Sequence, residues 1–381
     1  MAPDLLWRAL GICPGDVVVF TGDREKTALA QRVAEELAAE GRPPVWAGPG
    51  GPAGIPPAQA VAREPREDRV VLVEDEAGQG EVPAPDLVVP VIGQPAPAGR
   101  PGDPLQGLPA LPPGARVVPV VTLSGGAATG AALAAARAAA RSLLGRELPG
   151  GARVGRVVLA DLRAPAPVRG VLGEAAALVL AGGAGRRFGA NKLLHPWAGS
   201  TVLEASLRAP LRAGLKEVVV VTGAYHQELA PLLARYPVRV VPNPEWPEGM
   251  ASSLRAGIRA LVEEEAPAAG AALAGGEPGV GRQVPGAVVV CLGDMPFLPP
   301  AVVTELVRAW ARTRAPVVAP VVGGARRNPV LFDRALLPLL RQVRGDEGGR
   351  SVVQRYREAM VQVPFSEEGW FRDVDGPADL G

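Results

Sequence analysis

The second half of this 381-residue chain holds a lysine behind a run of glycines and two aspartates that each close an apolar or extended stretch. Leu180, Ala181, Gly182, Gly183, Ala184 and Gly185 lead into Arg186, Arg187 and Phe188, and then through Gly189, Ala190 and Asn191 to Lys192, Leu193 and Leu194. Glycine lets a backbone approach a ligand closely and take positive φ. Successive amides in such a turn form a concavity that binds anions. Arg187 and Lys192 would add charge-assisted bonds to phosphate oxygens. The string is neither a Walker loop nor a dinucleotide fingerprint, because the third glycine is displaced and charges follow at once.

Asp294 comes after an apolar run and Gly293. That spacing puts a carboxylate at the C-terminal end of a strand, where open α/β sheets hold ligands; the plainer alternative is a turn aspartate ahead of Pro296. Magnesium takes one or two carboxylates plus phosphate oxygens and water. Asp375 offers the second carboxylate, with Asp373 as the alternative across Val374, since an extended segment turns both to one side. Asp379 reads as a capping residue. Of 40 basic residues only Lys26, Lys192 and Lys216 are lysines. A lysine kept against that bias suits a tight phosphate contact, where arginine is no substitute. Lys26 and Lys192 fall in glycine-containing loops after strands, whereas Lys216 reads as a solvated surface charge. His226 reads as a surface residue opening a helix, and His195 is given no role.

The elements that must position these residues follow from periodicity. In the first half, strands are expected at 16–21, 69–74, 116–122 and 154–159, with helices at 28–40 and 130–144. A breaker-rich stretch, 83–114, shows no clear period. In the second half, strands are expected at 176–180, 217–222, 238–241, 286–292, 317–322 and 360–364. Helices are expected at 201–213, 226–235, 250–264, 300–311, 334–344 and 351–358, and 266–286 reads as an exposed insertion. This grammar implies two three-layer α/β domains, 1–168 and 173–381, joined near 164–172, where Pro165, Pro167 and Gly170 cluster. The C-terminal one is expected to be Rossmann-like with a mostly parallel sheet.

Composition narrows the function classes. Net charge is +1, with 40 basic against 39 acidic residues, which leaves no broad electrostatic footprint for nucleic acid or membrane. Two cysteines and two histidines, none at ligand spacing, argue against a zinc site. Cys13 and Cys291 read as buried thiols of a reducing compartment. The N-terminus lacks a signal-peptide pattern and no apolar run is long enough to span a bilayer, so a cytoplasmic location is expected.

From Leu180 onward the chain resembles the molybdenum cofactor nucleotidyltransferase family. The glycine–lysine string matches its signature, with Gly185 at the serine position and Phe188 at the methionine position. In order there follow Val218 to Gly223, Asn243 to Leu254, Gly293 to Phe297, Asn328 to Phe332, Gly345 to Arg350, and Asp373 to Leu380. The resemblance implies a nucleoside triphosphate, magnesium, and attack by the terminal phosphate of molybdopterin on the α-phosphate with loss of pyrophosphate. It implies catalytic roles for Lys192, Arg187 and Asp294, and metal ligation by Asp294 and Asp375. Leu180, Ala181, Gly182, Gly183, Ala184, Gly185, Arg187, Lys192, Gly223 and Ser253 would hold the nucleotide, and Asn328, Asp346 and Arg350 the acceptor. Ser252 and Ser253 could equally be caps of the helix that follows. The segment Glu248 to Leu254 and the Lys192–Leu194 run favour CTP. Gly182 and Asn328 favour GTP.

In the first half, Thr21 to Thr27 follow a strand as a P-loop would, but Glu25 stands where a glycine is needed, so the site reads as degenerate. Val71 to Gly78, with Pro83, Ala84 and Pro85, weakly resemble the selenium-dependent hydroxylase accessory family. That implies a molybdenum hydroxylase apo-enzyme as partner. A sugar-phosphate nucleotidyltransferase, or a non-catalytic chaperone for finished cofactor, are the other readings.

Overall fold

A computed structural model describes residues 5–14, 16–22, 26–42, 44–47, 71–74, 87–92, 105, 116–123, 130–148, 153–162, 167–185, 188, 191–262, 284–376 and 379. The chain divides into two compact units, Met1–Gly173 with Arg235–Pro237, and Glu174–Ala234 with Val238–Gly381.

The first unit is a sheet of β1 (Val17–Gly22), β2 (Val45–Ala47), β3 (Val71–Glu74), β4 (Leu87–Ile92), β5 (Arg116–Val117), β6 (Val120–Thr122), β7 (Arg156–Ala160) and β8 (Val168–Gly173). Its order is β2-β3-β1-β4-β6-β7-β8, with β5 beside β4. Among the described strands of this sheet only the β7–β8 pair is antiparallel. Helices α1 (Leu6–Leu10) and α2 (Lys26–Ala39) close one core, and α3 (Gly130–Leu143) closes a second. Four expectations are corrected. Pro119 lacks an amide to donate and splits the expected 116–122 strand in two. The breaker-rich stretch contains β4, a strand that takes Pro90 in its length. The expected linker contains β8. Lys26 opens α2 rather than lying in a loop. Residues 23–25, and most of the stretch behind the accessory-family resemblance, lie outside the described residues.

The second unit carries β9 (Ala175–Ala181), the hairpin β10 (Pro196–Trp197) and β11 (Ser200–Thr201), and then β12 (Val218–Thr222), β13 (Arg239–Pro242), β14 (Ala287–Leu292), β15 (Val317–Val322), β16 (Ala325–Arg326), β17 (Val330–Asp333) and β18 (Val361–Pro364). Its helices are α4 (Val202–Arg212), α5 (His226–Ala234), α6 (Met250–Val262), α7 (Pro300–Thr313), α8 (Leu337–Leu340) and α9 (Arg350–Arg355). The main sheet runs β13-β12-β9-β14-β17-β15-β16, with β18 on β15. β9 pairs in parallel with β12 and β14; β17 is antiparallel to β14 and β15.

β9 is apolar at every position because both its faces are covered, as in parallel sheets flanked by helices. Ala176, Leu178 and Leu180 face a core shared with Leu254, Ile258 and Leu261 of α6. Ala177 and Val179, equally buried, point the other way. There α4 packs on β9 and α7 lies beside it over β15 and β17, with Trp310 Nε1 donating to Asp333 Oδ2 at 2.8 Å. A capping box on Thr201 and Glu204 starts α4. The six expected strands are present. β17 is new, as are the two-residue strands β10, β11 and β16, which are too short to show a period. The expected 334–344 helix is broken into a 3-10 turn and the short α8, with Pro338 early in the latter. Lys216 is buried rather than solvated.

Cys13 and Cys291 are buried and are not joined in a disulfide. Burial pushes the Cys291 thiol up to about 12, so it carries no thiolate at neutral pH. Among the described residues no helix is long and apolar enough to cross a membrane.

Leu178 lies at the centre of this core, fully buried, against Gly257 of α6. Leu178→Ala is expected to lower unfolding free energy by about 2–5 kcal/mol in chemical denaturation, since a helix locked on both flanks cannot collapse into the cavity.

Candidate active site

The chain leaves β9 to build β12 and β13 on one side, and returns to place β14 on the other. The C-terminal ends of β9, β12 and β14 therefore meet at a switch point, where an open sheet leaves a crevice. The glycine run starts there. Gly293 N donates to Leu180 O at 2.9 Å, which extends the β9–β14 ladder by one rung and fixes the take-off of Asp294.

Lys192 opens a 3-10 turn in which the Leu193 amide donates to the Asn191 side chain. Its ammonium donates to Asp294 Oδ2 at 2.7 Å and to the Val374 carbonyl at 2.8 Å. Asp375 Oδ1 stands 4.0 Å away. Val374 N in turn donates to the Asp294 carbonyl at 2.9 Å, so the late segment is stitched to the end of β14. Asp379 Oδ2 accepts from Asp375 N and Gly376 N. Those amides hold its carboxyl below the usual carboxylate range, and they fix the turn that carries Asp375. Asp373 is exposed.

The arrangement is electrostatically incomplete. One ammonium faces two carboxylates, and the second oxygen of Asp294, Oδ1, is buried with no hydrogen-bond partner. Buried carboxylate oxygens are ordinarily satisfied, so an orphan invites a cation or a donor from a ligand. Asp294 and Asp375 differ sharply in exposure, 21% against 62% for their side chains. Among the described residues no group of three or more His, Cys, Asp or Glu gathers to hold a metal. Two carboxylates with open positions suit a hard cation that keeps waters and takes phosphate oxygens.

On the β12 side of β9 the backbones crowd. Gly223, just past β12, packs so closely on the Gly182 carbonyl that a Cβ there would collide. A Cβ on Gly182 would stand 2.6 Å from Ser253 Oγ in the first turns of α6. Ser253 also accepts from the buried Asn243. Tyr225 Oη donates to the Ala184 carbonyl at 2.9 Å, next to Gly185, whose φ of 56° needs a glycine. From the same helix start, Glu228 accepts from Asn191 at 3.2 Å. α5 thus grips the loop at both ends.

The residues singled out from the sequence separate into groups. Lys192, Asp294 and Asp375 come together, as do Gly182, Gly223 and Ser253. Arg187, with Arg186, Gly189 and Ala190, lies outside the described residues. Asp346 accepts from Met250 N at the start of α6, a structural contact. Asn328 and Arg350 are exposed. His226 is half-buried and pairs through Nδ1 with Thr222 Oγ1 at 2.8 Å, so it is no plain surface residue. Sequence reasoning missed Val374, which acts through its carbonyl and so leaves no trace in residue type. It also missed Tyr225 and Glu228, whose partners are set only by how α5 lies. Asn243 was visible, but only as part of a longer string.

Residues 177–360 match the family model of the MobA-like NTP transferase domain. Nicotine blue oxidoreductase of Paenarthrobacter nicotinovorans is 29% identical over 210 residues, covering 52% of this chain and 90% of that protein. The bifunctional protein GlmU of Mycolicibacterium paratuberculosis is 31% identical over 153 residues, covering 38% of this chain; the chain spans only 27% of that relative's length. A solved nucleotidyl transferase from Methanothermobacter thermautotroptrophicus aligns with a TM-score of 0.43 at 24% identity, over 54% of this chain and 94% of that one. Over residues 177–360 this chain is thus similar to the MobA-like NTP transferase domain.

Proposed function

We propose that the second unit is a molybdenum cofactor cytidylyltransferase of the cytoplasm, which moves CMP from CTP to the terminal phosphate of molybdopterin and releases pyrophosphate. The observation that carries the chemistry is the buried, unpartnered Oδ1 of Asp294 beside the Lys192 ammonium. Asp294 and Asp375 are the residues that would hold magnesium, which when bound supplies positive charge to the phosphates.

An acceptor phosphate oxygen attacks the α-phosphorus, the bond from that phosphorus to the bridging oxygen breaks, and pyrophosphate leaves with the electron pair. The nucleophile is already ionised near neutral pH, so the protein need supply no general base. Positioning and charge neutralisation do the work instead. An ammonium has three protons. Lys192 commits two, to Asp294 and the Val374 carbonyl, and the third would go to an α-phosphate oxygen. Arg187 and the loop amides from Leu180 to Gly185 hold the β- and γ-phosphates. Gly223 and Ser253 take the nucleoside, and Asn328, Asp346 and Arg350 the acceptor.

A GTP-dependent version is the second reading, favoured by the glycine at position 182. Delivery of the product to a molybdenum hydroxylase apo-enzyme extends the proposal to the first unit. A cofactor-carrying chaperone without catalysis is the reading from another class, and it gives no use for an ammonium, a carboxylate and a glycine run on one edge.

Lys192→Ala and Asp294→Ala are each expected to lower turnover on the order of 10²-fold or more, the usual loss when a preorganised charge at the reacting centre goes. Near-wild-type rates in both would overturn the assignment. With molybdopterin and magnesium, pyrophosphate release is expected from CTP in preference to GTP. Release from GTP alone selects the second reading, and release from neither favours the chaperone.

A further inference from the structure

Helix α1 places Trp7 in the core that α1 and α2 close, where it is fully buried. Gly41, at φ 74°, turns the chain back after α2, and the Arg42 amide donates to the Leu37 carbonyl at 2.9 Å. Two guanidiniums then lie over the Trp7 indole, Arg8 with Cζ 4.4 Å from the ring centroid and Arg42 with Cζ 4.6 Å. A cation is drawn to an indole face, the more so away from water. Arg8 is committed, donating to the Tyr236 carbonyl at 3.1 Å and standing 3.7 Å from Glu40. Glu36 of α2 is committed too, accepting from the Trp7 amide at 3.4 Å and pairing with Arg32 at 3.8 Å.

Arg42 differs from both. Its terminal nitrogens Nη1 and Nη2 are buried, and among the described residues nothing accepts their protons. Nε1 of Trp7, in the ring that Arg42 covers, is buried and lacks an acceptor as well. Buried donors are ordinarily satisfied, and a buried charge without a partner is costlier than a neutral group. Burial holds the Arg42 guanidinium below its ordinary range; Glu40 opposes this, and the positive charges of Arg235 and Arg8 add to it. Arg235 belongs to the same unit. A water would take some of these protons and leave the charge standing. A carboxylate would spend both oxygens on the guanidinium fork. A tetrahedral oxyanion serves the fork with two oxygens and keeps others for the indole N–H.

We propose that Arg42 and Trp7 form a phosphate-binding site of the first unit, in which the Arg42 fork holds one phosphate group through two oxygens and the Trp7 indole N–H donates to a third. The inference is independent of the nucleotidyltransferase reading, since both residues belong to the first unit. The donors are shut off from bulk water. The anion therefore enters as the Arg42 side chain lifts from the indole, and is enclosed when it returns. Lysine is no substitute here, because an ammonium has no fork. The phosphate group is either free inorganic phosphate or the end of a nucleotide.

Phosphate also suits the Lys192 ammonium, so binding is measured by calorimetry on the full chain carrying Lys192→Ala, with inorganic phosphate and with CMP. In that background Arg42→Gln is expected to abolish the binding. Arg42→Lys, which keeps the charge without the fork, is expected to weaken it about tenfold. Trp7→Phe, which keeps a ring without the N–H, is expected to weaken it by a similar factor, what one hydrogen bond to a charged group supplies. Binding of inorganic phosphate that depends on Arg42 assigns the site to the free anion. Binding of CMP alone, with the same dependence, assigns it to the end of a nucleotide. Binding that survives Arg42→Gln overturns the inference, as does binding that Trp7→Phe leaves unchanged, or no binding of either ligand. If Arg42→Gln does not fold by circular dichroism, Arg42→Lys decides, and an affinity equal to that of the arginine chain overturns the inference.

Discussion

One ammonium shared between a carboxylate and a backbone carbonyl organises the second unit. Lys192 reaches Asp294 across 102 residues of sequence and the Val374 carbonyl across 182. Neither contact can form until β9, β14 and the late segment are all in register. The Val374 amide to the Asp294 carbonyl, and the Asp379 carboxylate on two successive amides, are what hold that register at the rim. Without them, a segment with its aspartates largely in water would have little reason to stay.

The sheet gives this group its setting. Because the chain builds outward from β9 in both directions, the edge above it has a charged flank and a neutral, crowded one. On the charged flank, side chains meet across a gap and an oxygen is left without a partner. On the crowded flank, backbones nearly touch and the Asn243 amide bridges two serines of α6. The same glycine run serves both, which is why side chains are so nearly absent from it.

Much of this was legible beforehand. The uninterrupted apolar run of β9, the glycines after it, and Asp294 behind a second buried strand each carry a pattern with a physical cause. Strands and helices of the second half were therefore readable, apart from β17, the two-residue strands β10, β11 and β16, and the 334–344 segment, where a proline interrupts. Lys192 stood out because lysine is rare in the chain. The first half was harder: β4 and β8 lie in stretches rich in proline and glycine, and their strand identity comes from neighbours rather than from their own composition. Lys216 looked exposed because its burial depends on tertiary packing alone. Val374 and Tyr225 were illegible for the reason that binds them to the site, since one acts through a carbonyl and the other through where a helix happens to start. The domain limits, the roles at Asn328 and Arg350, and Arg187 stay as expectations.

The packing of Gly182 against both Gly223 and Ser253 has a consequence for how such a protein can change over time. A methyl group at 182 runs into the serine hydroxyl, and one at 223 runs into the carbonyl of 182. Drift toward alanine at 182 is therefore blocked while a serine occupies 253, and opens only once that serine has shrunk or turned away. The two glycines therefore differ in kind: at 182 a methyl meets a hydroxyl that can rotate, and at 223 it meets backbone that cannot, so replacement at 223 asks for a shift of the loop itself.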